Sequence, residues 1–309
     1  MTVAADTDTD ADVVKEKQVV YYGDSDFPKS DFFVQGQRMF EEQNNVLSEE
    51  IIDRYMRGAT EYGCVYCMLQ LGTYYSDPVL NGKFIHLAQP WFLEAAIRGS
   101  FASNIQLGTI YATAKPCIPH ALQIYWMEMY HTNSLVGSSR SKDVEIKEHI
   151  SGNVKRVCAI CGKTDTATFT LKQCEGCSTY CYCSVKHQTT HWKGLNHRSE
   201  CKQIQILKKY HKPYAKEIRK ATIRGETHPA LEKLRHKLGL TRPTEEYYEF
   251  HNMSKQIDPR EYVVARNDGT VWVGSTNIIT YAKKMSNEGK GSALNPCEKA
   301  RDDTGRKPK

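Results

Sequence analysis

Between residues 50 and 131, large apolar and small residues recur at steps of four, and the series is written twice. Tyr55, Ala59, Gly63, Cys67, Leu71-Gly72 and Tyr75 return 36 residues later as Trp91, Ala95, Gly99, Ser103, Leu107-Gly108 and Tyr111. Steps of four mark one face of a helix. The glycine between two such faces breaks the chain, the small residues let helices approach, and the aromatics fill the space between units, which together predict a helix-turn-helix repeat. One more helix, irregular, is expected around Ala121 to Tyr130. The stretch 134–153, rich in Ser, Gly and charge, reads as a linker, and from 154 to 201 the chain has almost no aliphatic residues from which to build a core. Periodicity returns with Ile204, Ile206, Leu207, Tyr210 and Tyr214, predicting a helix from Gln203 to Arg219, and Ala230 to Leu240 predicts another, so that 202–240 is a pair of basic helices. Within 258–284, Tyr262 to Val273 predicts a hairpin about Asn267-Asp268-Gly269, and a helix follows. The acidic tail 1–19 and the tail 286–309 have the composition of disordered segments. The expected fold class is mainly α.

Composition narrows the setting. At 309 residues with 40% hydrophobic content and a mean hydropathy of -0.58, only part of the chain can be packed core. No run approaches the roughly 18 apolar residues of a membrane helix, and the N-terminus lacks the regions of a signal peptide, so a cytoplasmic or nuclear protein with no membrane partner is expected. The net charge of +6 hides an asymmetry: Met1 to Asp53 holds 13 acids against 4 bases, while Lys193 to Arg242 holds 14 bases against 4 acids. Such a basic stretch is either a solvated helix face or a contact for nucleic acid or an acidic partner.

Cysteine placement is more informative. Seven of the 11 cysteines fall between Cys158 and Cys201, mixed with histidines, which in a reducing compartment reads as a set of metal ligands. Cys158-Ala-Ile-Cys161 and Cys174-Glu-Gly-Cys177 are tight knuckles that aim two sulfurs at one point. Cys183 with His187, and His197 with Cys201, are spaced at i and i+4 and share a helix face. Four pairs on short connections suit an interleaved arrangement of two zinc sites. Cys158, Cys161, Cys183 and His187 would hold one ion, and Cys174, Cys177, His197 and Cys201 the other. Four protein ligands leave no position for water, so both ions would be structural. His191 is an alternative to His187, and Cys181 could compete with Cys183 or be a packed thiol. Cys64-Val-Tyr-Cys67 could have a redox role or, with Cys117-Ile-Pro-His120, make a third zinc site, but Cys67 holds the small-residue position that Ser103 has in the next unit, so packing accounts for it.

At these residues the chain resembles the MYND-type zinc finger family: two knuckles, then Tyr182-Cys183, His187-Gln188, His191-Trp192 and a closing His197-Arg-Ser-Glu-Cys201. It departs from the family pattern at His187, where cysteine is usual. The resemblance implies a protein-interaction module in which Gln188 and Trp192 line a groove for proline-containing peptides. Trp192 could instead simply pack over the knuckles. The preceding repeat, notably Ala88-x2-Trp91-x3-Ala95-Ala96-x2-Gly99, resembles the Sel1-like class of tetratricopeptide-related repeats, which bind partners and have no active site. Together these imply an adaptor. Fingers of the first family also occur inserted in SET-type lysine methyltransferases, but the Asn-His-Ser-Cys-like stretch and the Gly-rich cofactor loop of those enzymes are missing, as are Gly-x-Ser-x-Gly, P-loop and dinucleotide patterns, so no enzyme is expected. The alternative is a nucleic-acid-associated regulator acting through Lys208, Lys209, Lys212, Lys216, Arg219 and Lys220. Against it, the finger lacks a base-reading helix.

Overall fold

The computed structural model describes residues 23–44, 46–76, 85–112, 121–134, 156–195 and 197–241. The acidic tail, most of the expected linker, the hairpin and helix of 258–284, the C-terminal tail, and Cys117 and His120 lie outside the described residues. What is described is mostly helical, as expected, with a small finger region.

Six helices come first: α1 (Asp31–Glu42), α2 (Glu49–Thr60), α3 (Val65–Ser76), α4 (Ile85–Ile97), α5 (Phe101–Ala112) and α6 (Ala121–Ser134). Each packs on the next along the chain. Serine hydroxyls start the first two: Ser30 accepts from Phe33 N and Ser48 from Ile51 N, each satisfying a backbone donor that the first turn leaves open. The repeated positions face inward. Tyr55, Ala59, Cys67, Leu71 and Tyr75 are buried, as are Trp91, Ala95, Ser103, Leu107 and Tyr111. Gly63 and Gly99 close equivalent turns with φ of 63° and 93°, a region in which other residues are strained. A Cβ on Gly72 would stand 2.5 Å from the Phe92 ring, and one on Gly108 2.8 Å from Met127 Sδ, so each Leu-Gly pair lets the following unit approach. These helices therefore pack as a repeat, α2–α3 followed by α4–α5. α1, which the pattern did not predict, covers the first unit by burying Phe33 and Gly36. α6 is a regular helix that continues to Ser134, into the start of the expected linker.

The finger follows: a two-stranded antiparallel ribbon, β1 (Lys172–Gln173) and β2 (Cys181–Tyr182), then α7 (Val185–Gly194) and α8 (His197–Ile206). The helix expected from Gln203 to Arg219 is broken. α8 gives way to a π-helical turn (Leu207–His211) and a 3₁₀ turn (Lys212–Tyr214) before α9 (Ala215–Ile223), and α10 (Pro229–Leu238) ends the described chain. Pro213 explains the break: it has no N–H to donate to the preceding turn, and its ring crowds the carbonyl four residues back.

These C-terminal helices fold back on the repeats. On α9, Arg219 lies between the rings of Phe27 and Phe101 and donates to the carbonyls of Gly99 and Gly23. Its neighbour Asp24, fully buried, accepts from Ser100 Oγ and from the N–H groups of Phe101 and Ala102, so an N-terminal carboxylate caps α5. On α10, Arg235 meets both carboxylate oxygens of Glu94 at 3.1 Å, and Glu94 also pairs with Arg98, just past the end of α4. Repeats, finger and C-terminal helices consequently share one hydrophobic core, running from Phe27 through Trp126 and Cys201 to Leu240.

His211 closes this junction. It is 1% exposed, rests on the Trp126 ring, and its Nδ1 lies 2.7 Å from Tyr125 Oη on α6. Burial lowers its pKa to about 4, with the Ile97 carbonyl pulling the other way. The neutral ring is the folded form, whereas the unfolded chain binds a proton near pH 6.5, so stability is full above pH 6.5 and falls as pH drops towards 4. The loss from this residue is expected to reach on the order of 3 kcal/mol. His211→Asn should flatten the pH 4–6.5 slope of urea-unfolding free energy, and the difference between the two proteins cancels the acid-induced zinc loss common to both.

Candidate metal centre

The finger brings the eight candidate ligands into two groups. In the first knuckle, Gly162 N donates to Cys158 O and Cys158 N to Lys163 O, folding Cys158–Cys161 into a tight turn. The second closes in the same way, with Ser178 N on Cys174 O and Cys174 N on Tyr180 O. Ser184 caps α7, its hydroxyl accepting from His187 N, which sets His187 in the first turn facing Cys183.

In the first group, Cys161 Sγ is 3.6 Å from Cys183 Sγ, and His187 Nδ1 is 3.0 Å from Cys183 Sγ and 3.5 Å from Cys158 Sγ. In the second, Cys174 Sγ is 3.9 Å from Cys201 Sγ, and His197 Nε2 is 3.4 Å from Cys174 Sγ and 3.7 Å from Cys177 Sγ. A tetrahedral zinc with Zn–S of about 2.3 Å and Zn–N of about 2.0 Å requires edges of about 3.8 Å between sulfurs and about 3.5 Å between sulfur and nitrogen. Both groups fit, with the shortest edge at His187. The first could hold an ion through Cys158, Cys161, Cys183 and His187, and the second through Cys174, Cys177, His197 and Cys201.

The two differ in setting. All four residues of the second group are buried, whereas three of the first are partly exposed. Around the second, the Glu200 carboxylate lies 3.2 Å from His197 Nδ1; the proton on that nitrogen leaves Nε2 free to face the sulfurs. Gln205 Nε2 donates to Cys201 Sγ, and Lys208 Nζ donates to the Cys177 carbonyl. Glu200 also accepts from Tyr180 Oη at 2.8 Å and from the N–H of Ala121, the first residue of α6, at 2.7 Å. One carboxylate therefore joins the second group to the end of the repeats. Sequence reading missed it, although Glu200 stands i+3 from His197, the spacing at which a helix places a partner beside a ligand.

Without metal, the second group already concentrates charge. Hydrogen bonds from Cys177 and Cys201 hold the Cys174 thiol far below its ordinary range. Burial works against an imidazolium at His197, but Cys174, Cys177 and Glu200 outweigh it and keep the ring protonated up to about 11. In the first group burial opposes ionisation of Cys158, yet the backbone N–H groups of the knuckle, with His187, bring it down to about 6. Burial and the sulfurs of Cys161 and Cys158 push Cys183 up to about 11. One thiolate per group forms readily and the last does so only against its neighbours, which a divalent cation would relieve.

The remaining candidates are placed elsewhere. His191 lies outside the first group: buried, with Nδ1 2.8 Å from Tyr182 Oη, it stacks on His197 at 4.7 Å. Cys181 packs with Ile160 and Leu171, and burial raises its pKa. Gln188 and Trp192 lie on α7, both half-buried, and Trp192 meets the His197 ring edge-on at 5.6 Å. Trp192 is thus in contact with the second group while still partly open to solvent. Of the six basic residues singled out after the finger, Lys208, Lys212 and Arg219 are engaged within the chain, Lys212 through Glu128.

Residues 158–201 match the family model for the MYND finger. This segment is a MYND zinc finger, a module that binds zinc and is generally used for protein interaction. No curated protein and no solved structure matches the chain.

Proposed function

We propose that this protein is an adaptor in which a MYND finger with two structural zinc ions and a short array of Sel1-like repeats form one platform for other proteins. The observation that carries the reading is the closure of both ligand groups: with three sulfurs and one imidazole nitrogen each, they leave no position for an activated water, so the metal shapes a surface. Three thiolates against a divalent ion leave each site with one net negative charge. The partner proposed for the finger is a proline-containing peptide, its rings on the open part of Trp192 and its backbone held by Gln188. The protein is read as non-enzymatic and as residing in the cytoplasm or nucleus, where clustered thiols stay reduced. Among the described residues, no helix is long and apolar enough to cross a membrane.

Pull-downs with the intact chain, Trp192→Ala and Cys174→Ser test the reading. Trp192→Ala should lose the finger's partners while remaining folded, with affinity falling at least about tenfold, as expected for a central aromatic anchor. Partners lost only with Cys174→Ser would contradict the groove. Nucleic acid retained by the intact chain with a steep salt dependence would favour the basic helices as the functional surface.

A further inference from the structure

Cys64 and Cys67 stand at the N-terminus of α3, apart from both metal groups, and the second repeat unit provides an internal comparison for them. There Ser100 caps α5: its Oγ accepts from Ser103 N at 3.2 Å, and its carbonyl accepts from Asn104 N. The positions 36 residues earlier are Cys64 and Cys67, and Cys64 O accepts from Met68 N in the same way. A thiol is a weak acceptor and a poor cap, so capping does not account for sulfur at both places. The i, i+3 spacing across a first helical turn brings two Cα atoms within the roughly 4.4–6.8 Å that a disulfide spans. Both cysteines are free.

Access differs between the two. Cys64 forms part of the wall of a cavity of about 330 Å³ bounded also by Ser30, Gly63, Arg98, Thr222 and Arg235. Cys67 lies behind it, fully buried, its Sγ 3.7 Å from Ser30 Oγ. A hydrogen bond from Cys67, working against burial, brings the Cys64 thiol down to about 6, so the sulfur on the cavity wall is the one that ionises.

We propose that Cys64 and Cys67 form an oxidisable dithiol site whose reactant is hydrogen peroxide entering the cavity. The Cys64 thiolate attacks one peroxide oxygen; an S–O bond forms, the O–O bond breaks, and the departing hydroxide takes a proton to leave as water. Cys67 sulfur then attacks the Cys64 sulfur. An S–S bond forms, the S–O bond breaks, and hydroxide leaves with the Cys67 proton as a second water. The two thiols lose two electrons and two protons, and hydrogen peroxide is reduced to two waters.

Both cysteines fall in the single tryptic peptide Gly58–Lys83, which contains no other cysteine. The full-length, zinc-loaded protein is treated with one equivalent of hydrogen peroxide, alkylated and digested, while zinc release is followed with a chromogenic chelator. The expected result is a Gly58–Lys83 peptide lighter by two hydrogens, reversed by dithiothreitol and formed before zinc is released. Cys67→Ser should stop at a sulfenic acid on Cys64, trapped by dimedone, and Cys64→Ser should leave Cys67 unreacted. Serine occupies both equivalent positions in the second unit, so both variants should fold. Two free thiols in this peptide after zinc has been released, or a disulfide only between molecules, would overturn the proposal.

Discussion

Cys174→Ser is expected to unfold the finger and to loosen α6 with it, a larger effect than any single core truncation. A structural zinc supplies on the order of 10 kcal/mol or more to its finger, comparable with the roughly 5–15 kcal/mol that holds a whole domain together. The effect should spread because Glu200 binds His197 in the second ligand group and the Ala121 N–H at the start of α6. Hydrogen exchange is the direct readout: protection should be lost through α8 and in the first turn of α6, and kept in α2 and α3, which pack on α1 and α4. Glu200→Gln is the graded version. It keeps an acceptor but removes the charge that orients His197, and zinc affinity at the second site should drop about 10- to 100-fold.

Arg219→Ala should carry the second largest cost, about 3–5 kcal/mol, the range found when one partner of a buried pair is removed. Arg219 is the countercharge 3.5 Å from the buried Asp24, donates to two backbone carbonyls, and fills the space between two aromatic rings. Its loss leaves Asp24 with only its backbone and Ser100 donors. Arg219→Lys should recover only part of the stability, because an ammonium cannot reproduce the planar fork that reaches both Gly99 and Gly23. Urea-unfolding midpoints of the three proteins check this. Unchanged stability in Arg219→Ala would mean that the N-terminal segment is not held by α9.

What could be read from the sequence follows the range of the forces involved. The ligand groups were legible because a knuckle, an i, i+4 pair and a short connection are local, and metal chemistry tolerates few residue types. The repeat was legible because Gly63 and Gly99 mark equivalent turns and the aromatic positions return at a constant interval. α1 was not: Gly36 stands 36 residues before Gly72, but Gln35 and Met39 replace the leucine and tyrosine of the repeat, and its buried face is small, Phe33 and Gly36 with Met39 and Phe40 half-buried. The break at Pro213 was written in the sequence, but apolar spacing on both sides concealed it. Joining the repeats to the finger and the C-terminal helices depends on Glu200 with Ala121, Asp24 with Arg219 and Glu94 with Arg235, pairs far apart in the chain with no local signature. The basic stretch gained its meaning only in three dimensions, where several of its charges hold the molecule together.

Zinc content together with zinc K-edge absorption on the intact protein tests the central claim most directly. Two closed sites of three sulfurs and one nitrogen predict two zinc ions per chain and a first shell of three sulfurs at about 2.3 Å and one nitrogen at about 2.0 Å, with no oxygen. A single zinc per chain, or a first shell containing a light-atom ligand beyond one imidazole, would contradict it.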